Sequence, residues 1–145
     1  QNVRTALGES VFVDGILVQK MEKGGIETLI GLKYDPTFGP AIAFGLGGIF
    51  VEVFKDVSLR IAPLNRAEAE NMLREIKAKK ILDGTRGKKR ADQEAILDVL
   101  VNISKLSLEL KDYIAEVDIN PLFVFEQGNG VKAGDALIVL KQDVQ

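Results

Sequence analysis

Along the first third of the chain, apolar residues come in short runs broken by glycine and charge, with no helical rhythm. Val11-Phe12-Val13 and then residues 15–21 are rich in β-branched and apolar side chains. They read as strand, punctuated by the Gly24-Gly25 turn. Residues 26–34 read as the next strand and end at the turn pair Asp35-Pro36. Ala41-Ile42-Ala43-Phe44, residues 49–54 and residues 57–62 give three more. Strands this close, joined by tight turns, predict an antiparallel meander rather than βαβ units.

The period then changes. Asn65, with Glu68 three residues later, reads as a helix start: an N-cap amide and a carboxylate reaching back. Ala69, Met72, Leu73 and Ile76 recur at helical spacing. That helix should fade near residues 77–80, where lysines complement its C-terminal dipole. A second helix is expected after Asp92, through Ile96, Val99, Leu100, Ile103 and Leu106 to about Leu110. Residues 82–90 between them form a loop by their glycines and charges. Residues 114–119, residues 122–125 and, after the Gly128-Asn129-Gly130 turn, residues 131–140 read as three closing strands. The order predicts an α+β layer: a largely antiparallel sheet with two helices packed on one face. Residues 1–10 read as the tail of a preceding helix or a linker.

Composition removes whole classes of chemistry. The 145 residues include no cysteine, no histidine and no tryptophan. Thiol nucleophiles, Ser–His–Asp triads, imidazole ligands and a phosphohistidine on this chain are therefore excluded. Any catalysis must use carboxylates, amides, Lys, Arg, backbone groups or a metal held by oxygen. A net charge of −2 argues against nucleic acid as partner, and no apolar run approaches the roughly 18 residues of a membrane span. The cytoplasm is the expected compartment. Gln1, not Met, opens the chain, as expected of a piece cut from a longer one.

Within what remains, Glu116-Val117-Asp118-Ile119-Asn120-Pro121-Leu122 is the sharpest feature. On a strand, Glu116, Asp118 and Asn120 share one face, and such oxygen donors suit a hard cation such as Mg²⁺. The same alternation describes the water-facing side of an edge strand. Pro121 removes a ladder donor, so a bend or an edge position is expected there. Asp135, beyond the glycine turn, could return beside Asn120 on an adjacent strand. Gly45-Leu46-Gly47-Gly48 could form an anion nest through its amides, or simply a tight hairpin. Gly47, Gly48 and Arg60 are thus candidate phosphate or loop contacts. Glu27, in an otherwise apolar run, is a solvated position or a ligand to a ribose or metal.

Several motifs occur in order: Val18-Gln19-Lys20-Met21, Asp35-Pro36-Thr37-Phe38-Gly39-Pro40, residues 44–53, residues 56–64, Gly84-Thr85-Arg86-Gly87 and Asp118-Ile119-Asn120-Pro121-Leu122. Together they resemble the ATP-grasp domain of ADP-forming acyl-CoA synthetases of the β-subunit type. The succinyl-CoA ligase β subunit is a more distant likeness. The resemblance runs from about Val11 to about Leu140 and implies that residues 11–145 are the second, C-terminal ATP-grasp subdomain. The N-terminal half, which in the family supplies a lysine to the phosphates, is expected to be missing here.

The resemblance implies roles residue by residue. Gln19, Lys20, Met21 and Glu22 match the hinge strand that holds adenine, mainly through backbone groups; relatives often carry Glu at the position of Gln19. Glu27 matches the carboxylate at the ribose, and Asn120 and Asp135 match the pair that holds Mg²⁺ against the phosphates of ATP or ADP. No catalytic residue is assigned to this chain. The implied reaction is reversible phosphoryl transfer between ATP/ADP and a phosphohistidine, linked to an acyl phosphate. The phosphohistidine would belong to an α subunit or to fused CoA-binding domains. The alternative expectation is a non-catalytic nucleotide-sensing or interaction module of a larger acyltransferase-type protein. Three geometric expectations follow: Asn120 and Asp135 converge from adjacent strands, Arg86 is bonded within an ordered loop, and residues 19–22 border an open groove beside exposed Val18 and Met21.

Overall fold

The computed structural model describes residues 15–47, 56–85, 87 and 89–141. The expected strands at residues 11–13 and 49–54, together with Gly48 and Arg86, lie outside them. Six strands form one antiparallel sheet: β1 (Ile26–Asp35), β2 (Gly39–Leu46), β3 (Val57–Ile61), β4 (Ile114–Val124), β5 (Val131–Ala133) and β6 (Ala136–Leu140). Their order is β3-β2-β1-β4-β5, and β6 pairs with β4 on the same side as β5. Between β3 and β4 come α1 (Arg66–Glu75), a single turn α2 (Lys79–Leu82) and α3 (Gln93–Glu109). Among the described residues no helix is long and apolar enough to cross a membrane.

Alternation decides which face each side chain takes. Thr28, Ile30 and Leu32 of β1 and Ile42, Phe44 and Leu46 of β2 are buried, and the first helix packs Ala69, Met72 and Leu73 into the same core as Ile96 and Leu100 of α3. The opposite face of the sheet carries Glu27, Leu29, Gly31 and Lys33 from β1, and Glu116, Asp118 and Asn120 from β4. It has no helix over it among the described elements.

The helix starts follow the caps expected of them. Asn65 Oδ1 accepts from the Glu68 amide at 2.9 Å, and Asp92 Oδ1 from the Ala95 amide at 3.3 Å. Glu68 does not reach back as a capping box would: its carboxylate accepts from Arg60 Nε at 3.2 Å. The guanidinium of Arg60 on β3 competes successfully with a backbone amide for it.

Three strand expectations need correction. Residues 15–21 pair with no strand among the described residues and are exposed throughout, so their β-rich composition lacks the neighbour that a strand requires. Residues 114–119 and 122–125 are one strand, β4, running through Pro121. It is an inner strand, and it tolerates the proline because its register with β1 shifts there, between Thr28 and Ile30. Buried Thr28 clamps the shifted segment, its hydroxyl donating to the Leu122 carbonyl at 2.9 Å. Finally, residues 131–140 are two strands, broken at Gly134-Asp135.

Candidate functional site

The bulge in β4 and the break between β5 and β6 meet. The Asn120 amide donates to the Asp135 carbonyl at 3.2 Å, and the Gly134 amide to the Pro121 carbonyl at 2.8 Å. Asp135 therefore lies in the turn beside β4 rather than on an adjacent strand, in backbone contact with Asn120. Both residues are exposed. Asp135 Oδ1 accepts from the Ala136 amide at 2.8 Å, which fixes the carboxylate against its own turn.

An amide oxygen and a carboxylate are the hard donors that Mg²⁺ takes. Among the described residues no three acidic side chains gather at one point. A cation at Asn120 and Asp135 would thus draw further oxygens from water and from a bound anion, as Mg²⁺ at phosphate sites does. The residues present fit that group.

Next to this pair, on the helix-free face, lies a groove of about 510 Å³. Pro121, Phe123, Lys132, Ala133 and Gly134 line it together with Gln19, Lys20, Met21 and Glu22. Its volume falls within the roughly 300–1,000 Å³ of small-ligand sites. Phe123 faces Lys132 across the β4–β5 pair and Glu27 across the β1–β4 pair. Glu27 is exposed on that same face, and its backbone carbonyl takes the Gly47 amide at 2.8 Å.

The groove is open. Val18 is 87% exposed and Met21 79%. What holds the 19–22 segment near the sheet is Glu22, whose Oε1 accepts from Lys132 Nζ at 2.5 Å and lies 3.9 Å from Lys20 Nζ. The Lys132 hydrogen bond, more than the Coulomb attraction of the two lysines, holds the Glu22 carboxyl below the usual carboxylate range. That carboxylate is engaged by protein.

Arg60 stands apart from this constellation. It pairs across β2–β3 with buried Ile42, on the helix side of the sheet. There its guanidinium bonds Glu68 and Glu75, and Ser58 donates to Glu75 Oε2 at 2.8 Å. Arg60, followed by Ser58, keeps the Glu75 carboxyl low. Gly47 is buried, with its amide taken by Glu27.

Sequence reasoning passed over Phe123, Lys132 and Gly134. A strand drawn unbroken through residues 131–140 hides the turn that brings them together. The available signal was Gly134 itself, since an isolated glycine in a strand pattern marks a break or a close approach.

Comparison with known proteins gives four matches. The family model for the ATP-grasp domain matches residues 1–140. The chain is 54% identical over 127 residues to the β subunit of an ADP-forming acetate–CoA ligase II of Pyrococcus furiosus, covering 88% of this chain and 54% of that one. It is 53% identical over 132 residues to an ADP-forming acetate–CoA ligase I of Archaeoglobus fulgidus, covering 91% of this chain and 19% of that one. A solved acetyl-coenzyme A synthetase 1 of Ca. Korarchaeum cryptofilum, in complex with coenzyme A and Mg-AMPPCP, superposes with a TM-score of 0.78 at 47% identity. That match covers 83% of this chain and 55% of the solved one. The chain thus spans about half the length of a subunit-type relative and about a fifth of a longer one.

Proposed function

This chain belongs to the ATP-grasp domain family, and on that premise we propose that it is the nucleotide- and Mg²⁺-binding half of an ADP-forming acyl-CoA synthetase. The observation that carries the reading is the Asn120–Asp135 contact beside a groove bordered by Gln19, Lys20, Met21 and Glu22. The reaction joins an acid, coenzyme A and ATP to give acyl-CoA, ADP and phosphate, and runs reversibly. Toward ATP, phosphate displaces coenzyme A from the thioester to give an acyl phosphate. The phosphoryl group passes to a histidine, releasing the acid, and then to ADP. With no histidine among its 145 residues, this chain needs that group from an α subunit or a fused domain. The solved relative carries a phosphohistidine segment described as pointing towards its nucleotide-binding site, which supports the same division of labour. The cytoplasm, where ATP and coenzyme A are available, is the compartment we propose.

In this reading the backbone of residues 19–22 holds the adenine edge, and the exposed Glu27 carboxylate accepts from ribose hydroxyls. Asn120 and Asp135 hold Mg²⁺, which when bound neutralises phosphate charge during transfer. The chain's own task is positioning, because phosphoryl transfer asks little covalent work of the protein. The remaining ATP-grasp half, expected in the part of the relatives that this chain does not span, would close over the groove with its lysine.

The test is calorimetric titration of Mg-ADP into the complete protein, with and without Asp135→Asn. Loss of the carboxylate should weaken Mg-ADP binding about tenfold or more, by analogy with an ion-stabilising contact of roughly 1.5–3 kcal/mol, while the melting temperature stays unchanged. Equal affinities in the two proteins would remove Asp135 from the site.

A further inference from the structure

We infer that Lys132 is a positioning residue for the nucleotide: by gripping Glu22 it sets the adenine-holding segment relative to the Asn120–Asp135 pair. This rests on the nucleotide reading above and extends it to a residue that lines the same groove but whose ammonium is engaged by Glu22. Among the described residues, the Lys132–Glu22 hydrogen bond is the one that ties residues 15–23 to the sheet, across 110 positions of sequence. The segment is otherwise poorly anchored, with Ile16, Leu17, Val18 and Met21 all at least 79% exposed.

The grip connects to the metal pair through short, rigid chain. Lys132 sits opposite Phe123 on β4. Two residues later Gly134 is wedged against the same phenyl ring and against Pro121, so tightly that a methyl group there would lie 2.6 Å from Phe123 Cε2. The next residue is Asp135, whose carbonyl takes the Asn120 amide. The end of β5 and the turn after it, residues 132–135, therefore carry both the lysine that grips Glu22 and the carboxylate assigned to the cation. The Glu22 side chain is 18% exposed and that of Lys132 49%, so the pair is partly shielded yet open to added salt.

Lys132→Ala, Glu22→Gln and the exchanged pair Glu22→Lys/Lys132→Glu, each in the complete protein, test this. Adenosine and Mg-ADP are titrated at low and at high salt. Each single variant should bind both ligands up to about fivefold more weakly, the range open to an exposed ion pair. The exchanged pair should recover most of the loss, and high salt should shrink every difference. Melting temperatures should stay together. A loss confined to Mg-ADP would make Lys132 a direct phosphate contact and overturn the inference. Equal affinities across the variants would overturn it too, with nucleotide binding intact. Failure of the unaltered protein to bind either ligand would remove the nucleotide reading itself, and this inference with it.

Discussion

A methyl group at Gly134 would lie 2.6 Å from the Phe123 ring, 3.1 Å from Pro121 Cγ and 3.2 Å from the Pro121 carbonyl oxygen. The first of these is far inside contact distance, and a ring carbon in a packed strand pair cannot swing away as a lysine tip can. Gly134→Ala should therefore push the turn off β4, costing about 1–3 kcal/mol as other overpacked sites do. Urea melts measure that cost, and Mg-ADP titration of the same variant should show weaker binding because Asp135 moves with the turn. A second residue-scale prediction concerns Asp92. It is buried, caps α3, and accepts from the Gly130 amide at 2.8 Å and the Gly128 amide at 2.9 Å. The Gly130 amide above all, with Ala95 and Gly128, holds its carboxyl below the usual range against the opposing effect of burial. A group lowered in the folded state contributes stability that is present above its unfolded value, near 3.9, and lost as pH falls through the folded value. Asp92→Asn can keep its one oxygen on the Gly128 and Gly130 amides but then turns its NH2 group toward the Ala95 amide, and should cost about 1–3 kcal/mol at neutral pH. Melts from pH 7 downward should show that difference narrowing below about pH 4; a constant gap would mean that the charge is not what matters.

At the scale of elements, the sequence was legible wherever local chemistry and tertiary burial agree. Both long helices stand where Asn65 and Asp92 place their starts, because a side-chain oxygen satisfies an otherwise orphaned amide at each. The meander is legible for the same reason: turns at Asp35-Pro36 and Gly128-Asn129-Gly130 separate apolar runs of the right length. Errors fall where the partner decides. Nothing local says that residues 15–21 lack a neighbouring strand among the described residues. Pro121 breaks an isolated pattern, yet a register shift on β1 lets β4 continue through it. At the site, Asn120 and Asp135 were readable as hard donors, but the turn that brings them together was not. Lys132 was invisible, since a lysine on a short strand reads as solvated until its partner, 110 residues away, is known. The Asn65→Ala exchange probes the legible part: losing that cap should lower stability by about 1 kcal/mol in a urea melt without touching Mg-ADP affinity.

For the whole molecule, the described sheet leaves one face without helices, with a shallow groove and apolar residues exposed at its margins. Leu137, Ile138 and Leu140 of β6 are each more than half exposed, as are Val18 and Met21 beside the groove. Such surface is ordinarily covered in a working protein. The span matched here is about half the length of the subunit-type relative and of the solved chain. An open groove buries less of its ligand than the 70–90% usual for small-molecule pockets. The measurement that goes most directly to the central claim is diffraction from the complete protein crystallised with ADP and Mn²⁺ in place of Mg²⁺, using the anomalous signal of manganese. We predict a single strong peak within roughly 2.5 Å of both the Asn120 side-chain oxygen and an Asp135 carboxylate oxygen, bridged to the ADP phosphates, with adenine against residues 19–22. A nucleotide-bound cation held by other residues, with Asn120 and Asp135 facing only water, would contradict the account.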